Sequence, residues 1–339
     1  MTRGITGAGL SRRRLVLGAA AAGAVVVLPG GMKIAAAQDK PKIAFSVPGL
    51  NFPFFVHMMN LAQQHADELG IELVQLDGQE NGAPSSTKQS ADLEAVIAQG
   101  IDGIVISPND GAALAPAIQA AIDAGVPVVT VDRNVPDAKT LAHVGADNVR
   151  GGEIQGEYVL TLLPDGGEIY ELQGQPGATP AIDRHKGLDN VIAGQDKVKV
   201  IVSQTANFAR DEAVTVFESA LAGNNPPAAV VAANDDMAFG VSEVAQANGL
   251  TMPIIGFDAL PEALIAIRDG NMAGTIEQFP GKQSTTAMDI LLAYLADGTE
   301  PTEHDTYLEP ILLTADNLAD AERAEEAGVG GTPEATPAA

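Results

Sequence analysis

Pro127-Val128-Val129-Thr130-Val131-Asp132-Arg133-Asn134 sets the architecture of the chain. The β-branched run Val128–Val131 reads as a strand buried on both faces. It stops at an anion, a guanidinium and an amide. In an open parallel sheet, ligands lie outside the carboxyl ends of the strands. Asp132, Arg133 and Asn134 therefore stand where a small polar ligand would bind, or else they form a local Asp–Arg ion pair that closes a loop.

The sequence around this stretch alternates regularly. On the N-terminal side, strands are expected at Lys42–Val47, Ile71–Leu76 and Gly103–Ile106. Helices are expected at Phe54–Gly70, Ser86–Gln99 and Ala112–Ala124, with Gly70, Gly100 and Gly125 as stops. Helical crossovers of this length imply right-handed connections and a parallel sheet. On the C-terminal side a second set follows, with helices at Asn148–Leu163, Ala181–Ala193, Arg210–Leu221, Asp235–Asn248 and Pro261–Arg268. Its strands are expected at Glu168–Leu172, Val198–Ser203, Ala229–Ala233, Ile254–Phe257 and Ala273–Glu277. Two α/β units of doubly wound design fit this pattern. From about Ala319 the Ala/Glu/Gly/Pro/Thr composition predicts a disordered acidic tail, residues 319–339.

A chain of 339 residues has length for about two domains. It is 46% hydrophobic, and its 21 Pro and 36 Gly are scattered as turn formers rather than periodic. It has no cysteine, which excludes disulfides, thiolate metal sites, a cysteine nucleophile and a lipid-modified cysteine anchor. The net charge is −25. Residues 1–37 hold five basic and no acidic residues, which leaves 14 basic against 44 acidic residues beyond them, or −30. Such a surface repels phosphate backbones, so no nucleic-acid partner is expected.

Ser11-Arg12-Arg13-Arg14-Leu15-Val16 resembles the twin-arginine export motif. A weakly hydrophobic run, Leu15–Leu28, follows it. Ala35-Ala36-Ala37 then suits signal peptidase, with Gln38 as the mature start. Residues 1–37 are read as a signal peptide, the alternative being an uncleaved anchor. An extracytoplasmic protein, soluble after cleavage, is expected.

The polar clusters fall at the ends of expected strands. Asn51-Phe52-Pro53-Phe54-Phe55 follows the first strand, and Asp132-Arg133-Asn134 the fourth. Arg184 lies in the helix after Gly174-Gln175-Pro176-Gly177. Asn207-Phe208, Asn234-Asp235-Asp236, Asp258 and Gln278 follow later strands. Planar Asp, Asn, Gln and Arg side chains suit a ring bearing several hydroxyls, because they accept and donate in fixed directions. Phe52, Phe54, Phe55 and Phe208 offer flat apolar faces for its C–H surfaces. At least one of Phe54 and Phe55 is expected to face the core.

These segments carry a resemblance. NFPFFVHM, VVTVDRN, HVGADNVRGG, YELQGQPG, SQTANFARDEA, AANDDMAFG, IIGFDALPEAL and TIEQFPGK, spread from Lys42 to about Leu318, are together similar to the ribose-binding branch of the periplasmic sugar-binding proteins of ABC transporters. VDRN, SQTAN, NDDMA and GFDALPEAL are also similar to inositol-binding members. The resemblance implies a type I periplasmic binding fold: two doubly wound parallel-sheet α/β lobes joined by three hinge strands. It implies crossings near Ala146-Asp147, Gln278-Phe279 and Leu308. The lobes would be 40–146 plus 279–308, and 147–278 plus 309–318. It also implies a ligand site of Phe52, Phe54, Phe55, Asp132, Arg133, Arg184, Phe208, Asn234, Asp258 and Gln278. The partners implied are a sugar or cyclitol and an ABC transporter permease, with the protein a monomer and without cofactor or metal. Ribose binders have an asparagine where Phe52 stands, and a second arginine where Ile182 stands. Both changes remove hydrogen-bonding capacity, so a different pentose, a polyol or a cyclitol is expected rather than ribose.

Other classes were weighed. For an enzyme, Asp132, Asp258 and His185 are the conceivable acid–base groups. The five His are scattered, however, and no Walker loop, Rossmann fingerprint or nucleophile elbow is present. His57 and His143 read as surface or packing residues. Asp235-Asp236 reads as a helix N-terminal cap rather than a metal site. A sensory co-receptor for chemotaxis or a sensor kinase would use the same pocket. A repressor effector domain would need a DNA-binding headpiece where the export signal stands.

Overall fold

The computed structural model describes residues 40–330. The export signal expected in residues 1–37 and the last nine residues of the expected tail lie outside them. The chain runs β1 (Lys42–Val47), α1 (Pro53–Leu69), β2 (Glu72–Asp77), a short hairpin of β3 (Gln79–Glu80) and β4 (Ala83–Pro84), then α2 (Ser86–Ala98), β5 (Gly103–Ile106), α3 (Gly111–Asp123), β6 (Val128–Val131) and β7 (Ala142–Ala146). It continues with α4 (Asn148–Leu162), β8 (Gly167–Gln173), α5 (Thr179–Ile192), β9 (Val198–Thr205), α6 (Arg210–Gly223), β10 (Ala229–Ala232), α7 (Asp235–Ala247), β11 (Ile254–Ile255), α8 (Pro261–Arg268) and β12 (Thr275–Glu277). Helix α9 (Pro280–Asp297), β13 (Asp305–Leu308) and β14 (Ile311–Leu313) complete it.

The first sheet has the order β13-β7-β6-β5-β1-β2, and every pairing in it is parallel. Successive side chains on a strand point to opposite faces. Ile43, Phe45 and Val129 therefore pack with Met58 and Met59 of α1 and Met288 of α9, while Ala44, Ile104 and Ile106 pack with Leu93, Leu114 and Ile118 of α2 and α3. With both faces covered, the strands read as unbroken apolar runs rather than alternating ones. The second sheet, β11-β10-β8-β9, is also parallel and is likewise covered on both faces. A third, two-stranded sheet pairs β12 and β14 antiparallel.

The chain leaves the first sheet after β7 and enters α4, whose N-cap Asp147 accepts from the Arg150 N–H at 2.9 Å. It returns after β12, through Phe279, into α9, which packs on β5, β6 and β7. It crosses again from β13, on the first sheet's edge, to β14. Six elements were not expected: β3, β4, β7, α9, β13 and β14. As far as Gly330, the disordered tail expected from Ala319 is also corrected. Leu318–Asp320 forms a 3-10 turn, and Ala321, Ala324 and Ala327 beyond it are buried. Every third residue there is an alanine small enough to seat against the core, so low complexity hid an apolar stripe.

Helices α4 and α5 meet backbone to backbone, because glycines face each other. A Cβ on Gly152 would lie 2.1 Å from the Arg184 carbonyl oxygen, and one on Gly187 would lie 2.0 Å from that of Val149. This contact fixes the helix that carries Arg184. Gly152→Ala is expected to cost about 2–3 kcal/mol, since neither backbone can yield. Denaturant unfolding checks this, and an unchanged midpoint would contradict it.

No helix among the described residues is long and apolar enough to cross a membrane.

Candidate functional site

The carboxyl ends of the strands in the two parallel sheets face one cavity. All ten side chains expected from the sequence line it: Phe52, Phe54, Phe55, Asp132, Arg133, Arg184, Phe208, Asn234, Asp258 and Gln278. Pro180 joins them. The sequence reading missed Pro180 because it started α5 at Ala181, whereas the helix begins at Thr179 and takes the proline in its first turn. The cavity is narrow, with a volume of about 30 Å³ for the centres of water-sized spheres, and all ten side chains are buried. Phe54 and Phe55 do both things at once: each lines the cavity and each belongs to the core.

The turns that aim these groups are strained. Among the described residues, seven non-glycine residues have positive φ, and six of them are Asp132, Asn207, Phe208, Asp258, Ala259 and Phe279. Such backbone persists only where its surroundings over-determine it, and it gathers at ligand clamps. Here the Asp132 N–H donates to the Val144 carbonyl, and the Asp258 N–H to that of Ile276, both at 2.8 Å. Phe208 is seated against Gly174, where a Cβ would come within 2.1 Å of its ring.

Two guanidiniums lie near the Phe208 ring, with Arg133 at 5.6 Å and Arg184 at 5.8 Å from its centre. Arg133 also lies 5.4 Å from the Phe55 ring and 3.8 Å from the Asp132 carboxylate. Arg184 stacks 3.6 Å from the Phe257 ring centre and donates to Asn148 Oδ1 (2.8 Å) and to the Ala233 carbonyl (2.6 Å). It faces Asp258 at 3.6 Å. Gln278 donates to Asp258 Oδ1 at 2.6 Å, and the Ser107 hydroxyl donates to Asp132 at 3.2 Å. Asn234 caps α7 by accepting from the Met237 N–H, and its amide donates to the Phe208 carbonyl. The open capacity in the cavity is therefore that of carboxyl oxygens and guanidinium N–H groups beside aromatic faces, suited to hydroxyls and C–H surfaces.

Contacts that sequence reasoning missed lie at the rim. Arg133 donates to the Asn109 carbonyl (2.9 Å) and to Gln175 Oε1 (3.3 Å), and Gln175 donates to Asn109 Oδ1 (2.7 Å). The Asn134 N–H donates to the Thr179 hydroxyl at 2.9 Å. The only legible signal for these was that Asn109 and Gln175 also follow strands.

His185 does not line the cavity, and its ring is bonded to Glu171 at 2.8 Å. His143 is buried against Thr130, and His57 meets Glu322. Asp235 is not itself the α7 cap. It is fully buried and accepts from the Thr275 hydroxyl (2.7 Å) and the Leu260 N–H (2.9 Å), tying α7 to α8 and β12. Among the described residues, no group of three or more His, Asp or Glu side chains is placed to hold a metal ion.

Burial dominates the electrostatics. It pushes the Asp258 carboxyl up to about 8, against Arg184. It raises Asp132 against Arg133 and brings Arg133 down to about 10. Burial also lifts Glu277 to about 7 and Asp236 to about 6, and raises Asp235 well above the usual range. A carboxyl raised in the fold contributes stability that is greatest below its unfolded value and is lost as pH rises through its folded value. His143, brought down to about 4 by burial, works the other way, losing its contribution as pH falls from 6.5. Above about pH 6.5 the histidine no longer opposes the carboxyls. The melting temperature of the ligand-free protein is expected to fall as pH rises from 6.5 to 8. A rise over that window would contradict this assignment.

The periplasmic binding protein domain family matches residues 43–300. The ribose import binding protein of Bacillus subtilis is 37% identical over 253 residues, covering 74% of this chain and 81% of that protein. The xylitol-binding protein of Mycolicibacterium smegmatis is 30% identical, covering 88% and 85%. The crystal structure of the Caulobacter myo-inositol binding protein, bound to myo-inositol, superposes with a TM-score of 0.80 at 36% identity, covering 87% of this chain and all of that one.

Proposed function

The chain belongs to the periplasmic binding protein family, and from that premise we propose that it captures a monosaccharide or cyclitol of pentose, polyol or inositol type and delivers it to an ABC transporter permease. One observation carries the reading. A single cavity between two parallel sheets gathers four phenylalanines, two arginines, two aspartates, an asparagine and a glutamine. Each guanidinium faces a carboxyl, so donors and acceptors stand side by side in the cavity, and an uncharged polyol fits it best. Relatives named for ribose and xylitol, and a neighbour solved with myo-inositol, support the same ligand class.

In this reading the lobes are residues 40–146 plus 279–308, and 147–278 plus 309–318. They close about the three crossings, and closure shifts the population toward the form a permease recognises. Binding proceeds without turnover and without a cofactor. Residues 1–37 direct export by the twin-arginine route, and the exported protein acts as a soluble monomer.

A thermal-shift screen of the purified protein against pentoses, hexoses, polyols and inositols tests this. A ligand present at 100 times its Kd adds about 2.7 kcal/mol, a shift of about 5 °C. One compound from this set should give that shift. No shift with any of them would overturn the reading.

A further inference from the structure

The segment beyond β14 is docked on the crossing that leads from β12 into α9. Glu322 sits at its centre. Its carboxylate accepts from the Gly281 N–H at 2.8 Å and meets His57 of α1 at 3.1 Å. Its own N–H donates to Glu277 Oε2 at 2.8 Å. The other Glu277 oxygen accepts from the Phe279 N–H at 2.6 Å, which holds Phe279 at φ 57. Between Glu277 and Phe279 stands Gln278, the donor to Asp258 in the cavity. The seat is shaped for this carboxylate, since a Cβ on Gly281 would come within 2.2 Å of Glu322 Oε1. Ala321, Ala324 and Ala327 anchor the segment in the core. It lies beyond the family match, which ends at residue 300.

We propose that residues 318–330 act as a clasp on this crossing: Glu322 bonds Gly281 and His57 of one lobe and Glu277 of the other, and with Glu277 as the positioning residue for Gln278 the docked segment favours the closed cleft. The proposal rests on the lobe-closure reading above. Because one residue of the crossing carries a cavity side chain while its two neighbours are fixed by the clasp, undocking the segment frees Gln278 and the crossing together.

The test uses the full chain, which has no native cysteine. Glu94→Cys and Lys199→Cys, at exposed sites on α2 and β9, carry spin labels that report the distance between the two sheets, with and without myo-inositol. Ala324→Glu places a charge in the segment's anchor. Glu322→Gln keeps the shape and removes the charge, and it serves if Ala324→Glu does not fold. Trypsin cleavage at Arg323 reports undocking, and Asp320→Asn, at an exposed residue of the segment, is the control. Undocking is expected to raise the wide-distance population of the ligand-free protein at least threefold, while Asp320→Asn leaves it unchanged. Variants that trypsin cleaves faster but whose distances match the wild type would overturn the clasp. A wild type whose distance does not change with myo-inositol, although myo-inositol raises its melting temperature, would refute lobe closure itself, and the clasp with it.

Discussion

Replacing Asp258 with alanine is expected to weaken binding of the screen's best ligand by more than about 2 kcal/mol, about 30-fold in Kd. Asp258 stands at a left-handed turn that its own N–H pins to Ile276. Its carboxyl takes the Gln278 amide at 2.6 Å and faces Arg184 at 3.6 Å inside the cavity. Without it, a buried amide and a buried guanidinium lose an acceptor, and the ligand loses one as well. Leaving buried donors unsatisfied costs more than a typical hydrogen bond contributes. Titration calorimetry measures the change, and an unaltered Kd would remove Asp258 from the site.

Arg184→Met is expected to destabilise the ligand-free fold itself, by about 3–5 kcal/mol, with a melting temperature lower by about 6–9 °C. The guanidinium is buried, stacked on Phe257, and holds Asn148 and the Ala233 carbonyl while facing Asp258. Methionine fills part of the volume but leaves a buried carboxyl and a carbonyl without their partner. Removing one member of a buried pair costs far more than the intact pair contributes. A melting temperature within about 2 °C of the wild type would show that Arg184 serves ligand alone.

The parallel-sheet units were legible because period and punctuation agreed. Lys42–Val47, Gly103–Ile106 and Val128–Val131 are strands with the expected bounds, and Gly70 ends the first helix at φ 69. The cavity lining was legible because polar groups at strand ends recur around both sheets and because the resemblance to sugar-binding proteins carried over Arg184 and the phenylalanines. Strand β7 escaped because Ala142-His143-Val144-Gly145-Ala146 is short and holds a glycine and a histidine, and its place beside β6 is a tertiary fact. Helix α9 carried readable signals that went unused: Pro280 at its first position, Gly298 after its end, and Ala287, Met288 and Leu291 buried along one face. The docked segment around Glu322 could not be read from composition. Its alanines are apolar enough to bury but too small to stand out, and its anchoring bonds reach 41 and 45 residues back, to Gly281 and Glu277.

A crystal structure of the protein with the ligand that gives the largest melting shift shows whether this cavity is the binding site. The ligand is expected between the Phe208 ring and the Phe54–Phe55 pair, with hydroxyls on Asp132, Arg133, Asn234 and Asp258. A ligand bound elsewhere, with that cavity still closed and empty, would contradict the account.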